Sequence, residues 1–196
     1  GTVLLRNGEL HRAGELFRQA TEADPGYPLA HARRAEVAFD LDAVNLATQE
    51  LLKAQTLVRE NAALTSQETI YFDALSASIT YKKFDEAVKA YQKIVDQTPQ
   101  DAKAYVDLGR ALEKANQSGQ AIAAYRQAIE HDAKYATPYL RMGVLYTRRH
   151  EFGSATDAFN TADSLFQQQP DVQEGLAQVA EKRGLMFRES GKYPDA

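Results

Sequence analysis

The chain contains no cysteine and no tryptophan in its 196 residues. Without cysteine, disulfides, thiolate nucleophiles and cysteine-ligated zinc are excluded. Glycine and proline are scarce, at 11 and 6 residues, so long stretches carry no helix breaker. No apolar run approaches the roughly 20 residues of a membrane-spanning helix, and no strand-like alternation of useful length appears. A dominant charge sign is lacking too. With 23 basic against 27 acidic side chains the net charge is −4, which argues against nucleic-acid binding driven by bulk charge. What is present is a composition of 44% apolar and 26% charged residues. That suffices for a buried core, and the length suits one compact domain or a modest repeat array.

The chain repeats itself. Residues 34 apart match in kind through three windows: Tyr71, Tyr105 and Tyr139; Ala74, Leu108 and Met142; Leu75, Gly109 and Gly143. The same step relates Ala87, Ala121 and Ala155, then Tyr91, Tyr125 and Phe159. The columns extend outward, to Ala13 and Phe17, to Ala47 and Leu51, and to Gly184 and Phe187, with successive spacings of 34, 40, 34, 34 and 41. The units read as a partial unit over 1–27, units 28–67, 68–101, 102–135 and 136–176, and a partial unit over 177–196.

Each unit reads as two helices. Over 104–115 apolar residues fall at Tyr105, Leu108, Ala111, Leu112 and Ala115, and a second stripe follows at Ala121, Ile122, Tyr125, Ala128 and Ile129, spacings that put each set on one helical face. Thr65 with Glu68 and Asp171 with Glu174 have capping-box spacing, and Pro138 suits a first helical turn. One pair cannot bury both its stripes alone, so the units must stack. Glycine at 109, 143 and 184 is expected to let a helix press close to its mate, and Leu75 in the same column to hold its pair slightly apart. The six and seven extra residues of the longer spacings amount to nearly two helical turns. Around 172–187 they predict a longer helix, with Val172 and Leu176 on its apolar side. After Ala54 the extra residues, among them Leu57, Val58, Ala62 and Leu64, suit either a longer helix or a loop.

This pattern resembles the tetratricopeptide repeat family. The match is best over 102–135, with Tyr105, Leu108-Gly109, Leu112, Ala121, Tyr125 and Ala128 at the family's signature places. It departs at Leu75, at Ala35, and at Ala133 and Gln167, where the family usually has proline. The resemblance implies an all-α fold, a right-handed α-solenoid of stacked antiparallel helix pairs. Both ends cut a unit, which suggests a piece of a longer protein. The stretches 107–113, 140–145 and 157–159 also look like repeat arrays attached to bacterial signalling proteins, in which the array senses or recruits. The absence of cysteine suits a cytoplasm and a periplasm alike.

Catalytic chemistry finds little support. His11 and Glu15 lie one helical turn apart but lack a third ligand, so they read as a solvated face and no metal is assigned. Glu130 and Asp132 would face different ways on a helix. There is no glycine-rich phosphate loop, serine elbow or H-E-x-x-H motif. The chain is therefore read as a non-catalytic module without a cofactor.

One stripe on the first helices belongs to no packing column. It comprises Phe72, Ser76 and Ile79, then Val106, Arg110 and Glu113, then Leu140, Val144 and Thr147, flanked by Arg141 and Arg148. In tetratricopeptide proteins the corresponding strip lines a concave groove that binds extended peptides or helices. The expected function is thus a scaffold for a protein or peptide partner, with no nucleic acid and no membrane. The alternative is that neighbouring helices cover the apolar members. Chaperone-binding relatives clamp a carboxylate with lysine and asparagine at places held here by Phe72 and Ser76, or Val106 and Arg110. That ligand is therefore not expected; a segment with apolar side chains and some acidity is. A homodimer through an open end at Phe187 and Tyr193 is the second reading. RNA binding, as in pentatricopeptide arrays, is opposed by Asp73, Asp107 and Glu113.

Overall fold

The computed structural model describes residues 1–6, 9–61, 64–169 and 173–191. Ala62, Pro170, Asp171, Val172, Tyr193 and Pro194 lie outside them. The helices are α1 (Thr2–Arg6), α2 (Leu10–Ala23), α3 (Pro28–Asp40), α4 (Val44–Asn61), α5 (Ser66–Leu75, continued by a π-helical turn at Ser76–Thr80) and α6 (Phe84–Gln97). They are followed by α7 (Ala102–Lys114), α8 (Ser118–His131), α9 (Ala136–Arg148), α10 (Phe152–Gln167) and α11 (Gln173–Ser190). Among the described residues there is no strand. Antiparallel hairpins stack in chain order: α3 packs on α4, α7 on α8 and α9 on α10, with α2–α3, α6–α7 and α10–α11 joining successive pairs. The longer spacings become longer helices, since α4 and α11 have 18 residues each.

Local chemistry sets the ends. Thr65 Oγ1 accepts from the Glu68 amide at 3.2 Å while the Thr65 amide donates to Glu68 Oε2 at 2.8 Å, so two orphan amides are satisfied reciprocally. Asp101 Oδ1 accepts from the Lys103 amide at 2.9 Å and starts α7.

A further column emerges in the tight turns. Asp42, Lys82, Asn116 and His150 all have left-handed backbone, with φ of 58°, 51°, 61° and 59°. After each, an amide reaches back to the helix end: Ala43 to the Ala38 carbonyl, Gln117 to Leu112 and Glu151 to Tyr146, at 2.8–2.9 Å. This is a Schellman closure that satisfies terminal carbonyls. At Lys83 the acceptor is Ala77, one residue further back, because the π turn after Leu75 holds an extra residue in the last coil. None of the four is glycine; aspartate, asparagine and histidine tolerate left-handed backbone comparatively well, so the strain is greatest at Lys82. Lys82→Gly is expected to raise stability by roughly 0.5–1 kcal/mol, read as a higher denaturant midpoint at unchanged slope.

The core runs the length of the stack. Tyr125 and Phe159 are wholly buried, and each ring lies against a glycine on the facing helix. A Cβ on Gly109 would sit 2.5 Å from Tyr125 Cε1, and one on Gly143 would sit 2.6 Å from Phe159 Cε1. Gly184 has nothing within 4 Å among the described residues, so the close approach expected there is not made. In α11 the close approach is made by Gly175, where an added Cβ would collide with the Phe166 ring.

Candidate functional site

The inner face carries an ion ladder. Glu36 on α3 accepts from Arg33 at 2.8 Å, from the Tyr71 hydroxyl at 2.7 Å and from Lys103 on α7 at 3.3 Å. Lys103 also pairs with Asp107 at 2.5 Å, and Arg110 reaches Asp40 on α3 at 2.6 Å. Thus α3 and α7 are joined by ion pairs across α5. One step further, Arg141 on α9 grips Glu113 on α7 with two bonds of 2.8 and 3.0 Å, while the Tyr125 hydroxyl donates to the same carboxylate at 2.5 Å.

These groups answer to burial in different ways. Burial pushes Glu36 upward, but Lys103, Arg33 and the Tyr71 hydroxyl outweigh it and hold the carboxyl far below its ordinary range. For Asp40 and Asp107 burial wins over Arg110 and Lys103, and both carboxyls rise. Asp107 Oδ1 is buried with no hydrogen-bond partner among the described residues, which fits its reluctance to ionise.

This ladder changes the reading of the strip. Phe72, Ile79, Val106 and Leu140 are at most 6% exposed, and Thr147 is buried as well. The expectation of an open apolar strip therefore fails at Phe72, Ile79, Val106 and Leu140, four of its five apolar members. The physical reason is that charged side chains of α3, α7 and α9 pair across the face and close it. Ser76, part-buried, accepts from Gln55 at 2.8 Å and donates to the Phe72 carbonyl at 2.7 Å. Arg110 and Arg141 are engaged by Asp40 and Glu113.

Past Arg141 the face opens. A cleft of about 380 Å³ lies between the C-terminal ends of α3, α7, α9 and α11. Of the strip, Glu113, Arg141, Val144, Thr147 and Arg148 line it; Asp40, Asp42, Lys114, Lys182, Leu185 and Glu189 complete it. Lys182, Leu185 and Glu189 stand 41 residues after Arg141, Val144 and Arg148, so the last spacing of the repeat carries the strip into α11. Glu36 stands 40 before Ser76, and Asp40 stands 40 before Thr80, which holds in its unit the place that Arg148 holds two units on; the same extension would have found them. Val144 and Leu185 are the apolar members, ringed by charges of both signs.

The other candidate residues scatter. Glu15 is taken by Arg18 and Gln19, whereas the His11 amide and Nδ1 both meet Glu174 of α11 at 2.9 Å. Phe187 packs partly buried on the core, and Tyr193 lies outside the described residues.

The stacking has solved counterparts. The TPR2B domain of yeast Sti1, in its complex with pHsp70, is 26% identical with a TM-score of 0.55, covering 64% of this chain and 96% of that one. The type III secretion translocator chaperone SycD of Yersinia enterocolitica is 18% identical with a TM-score of 0.58, covering 65% of this chain and 96% of that one. MamA of Desulfovibrio magneticus RS-1 is 20% identical with a TM-score of 0.50, covering 87% of this chain and 93% of that one. No curated protein matches the chain in sequence. A tetratricopeptide repeat profile matches residues 1–62 and 82–138. With more than half of its residues matched and its hairpins stacked around glycine–aromatic contacts, the chain belongs to the tetratricopeptide repeat family.

Proposed function

We propose that the chain is a non-catalytic interaction scaffold that docks a peptide or helix of a protein partner in the cleft between α7, α9 and α11. The observation that carries this reading is the cleft itself: apolar Val144 and Leu185 sit within a ring of cations and carboxylates, on a face whose remainder is closed by internal ion pairs. An apolar anchor side chain fills such a centre, and flanking charges orient the segment that bears it. Engagement of pHsp70 by the Sti1 domain supports a protein partner as the class of ligand.

A displayed peptide library selected on the wild-type chain tests the reading. Selected peptides are expected to lose at least tenfold in affinity for Val144→Glu and for Arg148→Glu, with circular dichroism unchanged. Arg148 is exposed and Val144 is half-buried at the cleft wall, so both variants keep the fold. Peptides that bind wild type and both variants equally would place the docking surface elsewhere.

A further inference from the structure

Glu174 holds a place that the other units lack on a helix. Counted back by the last spacing of 41 it falls on Ala133, in the loop before α9. It therefore belongs to the turn that the longer spacing adds to the start of α11. Its side chain is 18% exposed, and its carboxylate is turned to a distant helix. Oε1 accepts from the His11 amide at 2.9 Å and from His11 Nδ1 at 2.9 Å, across 163 residues of sequence.

Helix α2 lacks what Glu174 brings. It begins at Leu10 with Glu9 in the capping position, yet the Glu9 side chain makes no capping bond and the first turn holds no acid. Glu9 gives its carboxylate to Arg12 at 2.5 Å. The His11 amide is one of the orphan donors of a helix start, in the position that a capping side chain ordinarily satisfies. Glu174 takes that role from another helix. It also stands in the first turn of α11, so one carboxylate meets the positive ends of two helix dipoles.

The contact bears on the cleft. Ala13 and Phe17 of α2 pack on Val37 of α3, with Leu10 and Leu41 beside them, so the start of α2 lies by the end of α3. That end carries Asp40 and Asp42, which line the α7–α9–α11 cleft together with Lys182, Leu185 and Glu189 of α11. Leu185 stands 11 residues beyond Glu174, about 16 Å along the helix. A hold at the start of α11 therefore governs where its wall of the cleft stands.

We infer that Glu174 is a positioning residue: by capping α2 it closes the superhelix on itself and fixes the span between the α3 and α11 walls of the cleft. The effect on affinity rests on the proposed docking role of that cleft; the closure stands apart from it. A wall held in place beforehand spares a docking segment the cost of ordering it.

The test is pulsed dipolar EPR on the whole chain, labelled at Gln19→Cys on α2 and Ala180→Cys on α11, two exposed positions in a sequence without cysteine. A single narrow distance distribution is expected. Glu174→Ala is expected to at least double its width with circular dichroism unchanged, since the side chain lies outside the core. His11→Ala, which keeps the amide and loses only an exposed ring, is expected to broaden it less. A peptide selected on the wild-type chain is expected to bind Glu174→Ala at least tenfold more weakly. An unchanged width in Glu174→Ala would overturn the closure. Broadened distances with unchanged affinity, for a peptide that Val144→Glu weakens, would overturn the role in the cleft. A peptide that Val144→Glu leaves unweakened would instead sink the docking reading, and the distances alone would then decide the closure.

Discussion

Phe159→Ala lowers the unfolding free energy of the chain by roughly 4 kcal/mol, the cost of removing a fully buried ring and leaving its cavity. Phe159 has no exposed surface and stands on α10 against Gly143 of α9, where even a methyl group would lie within 2.6 Å. The backbone of α9 cannot collapse into the void without breaking its packing on α10. Since domains of this kind rest on about 5–15 kcal/mol in all, the variant loses a large share of its stability. The reciprocal change separates packing from propensity. Gly143→Ala alone is expected to destabilise by roughly 1–3 kcal/mol through overpacking. In the Phe159→Ala background the ring is gone, and the same substitution is expected to be neutral or stabilising, by up to about 1 kcal/mol of helix propensity. Urea denaturation of the four members of this cycle reads the coupling directly.

The second large effect lies in the ion ladder. Glu36→Gln is expected to reduce stability at neutral pH by roughly 3–5 kcal/mol, the range for removing one partner of a buried pair. Arg33 and Lys103 would be left facing an amide, and the link from α3 to α7 would rest on Asp40–Arg110 alone. The pH dependence has a defined sign. Glu36 is held below its ordinary value of 4.5, so its contribution is fully present above that value and is lost progressively as pH falls beneath it. Asp40 and Asp107, raised by burial, act the other way, because the folded state takes up their protons first. Hence the stability gap between wild type and Glu36→Gln should be widest near neutrality and narrow steadily in acid. A gap that stays constant through acid would mean that Glu36 is not the charge that Lys103 and Arg33 hold.

The helices and their pairing were legible because periodicity acts on every residue. The columns at Gly109 and Gly143, and at Tyr125 and Phe159, mark contacts that the fold repeats. The capping box at Thr65 was legible because its bonds are local. The left-handed column of Asp42, Lys82, Asn116 and His150 was there to be read, but without glycine it carried no composition signal. The closure of the inner face was harder to foresee. Whether Phe72 and Val106 meet water depends on how tightly the superhelix coils, since only a tight coil lets Glu36 reach Lys103 across 67 residues of sequence. Coil tightness is a sum of small offsets between units. Periodicity records which residues share a face and leaves the offsets unspecified.

The claim that the open end of the inner face is a docking surface is tested most directly by amide chemical-shift mapping with a peptide selected on the wild-type chain. Saturable shifts are expected to cluster at Glu113, Arg141, Val144, Thr147, Arg148 and Leu185, with Phe72 and Val106 unmoved. Shifts that centre on Phe72, Ile79 and Val106 would show that the ladder opens to admit the partner, and would contradict a docking surface confined to the α7–α9–α11 cleft.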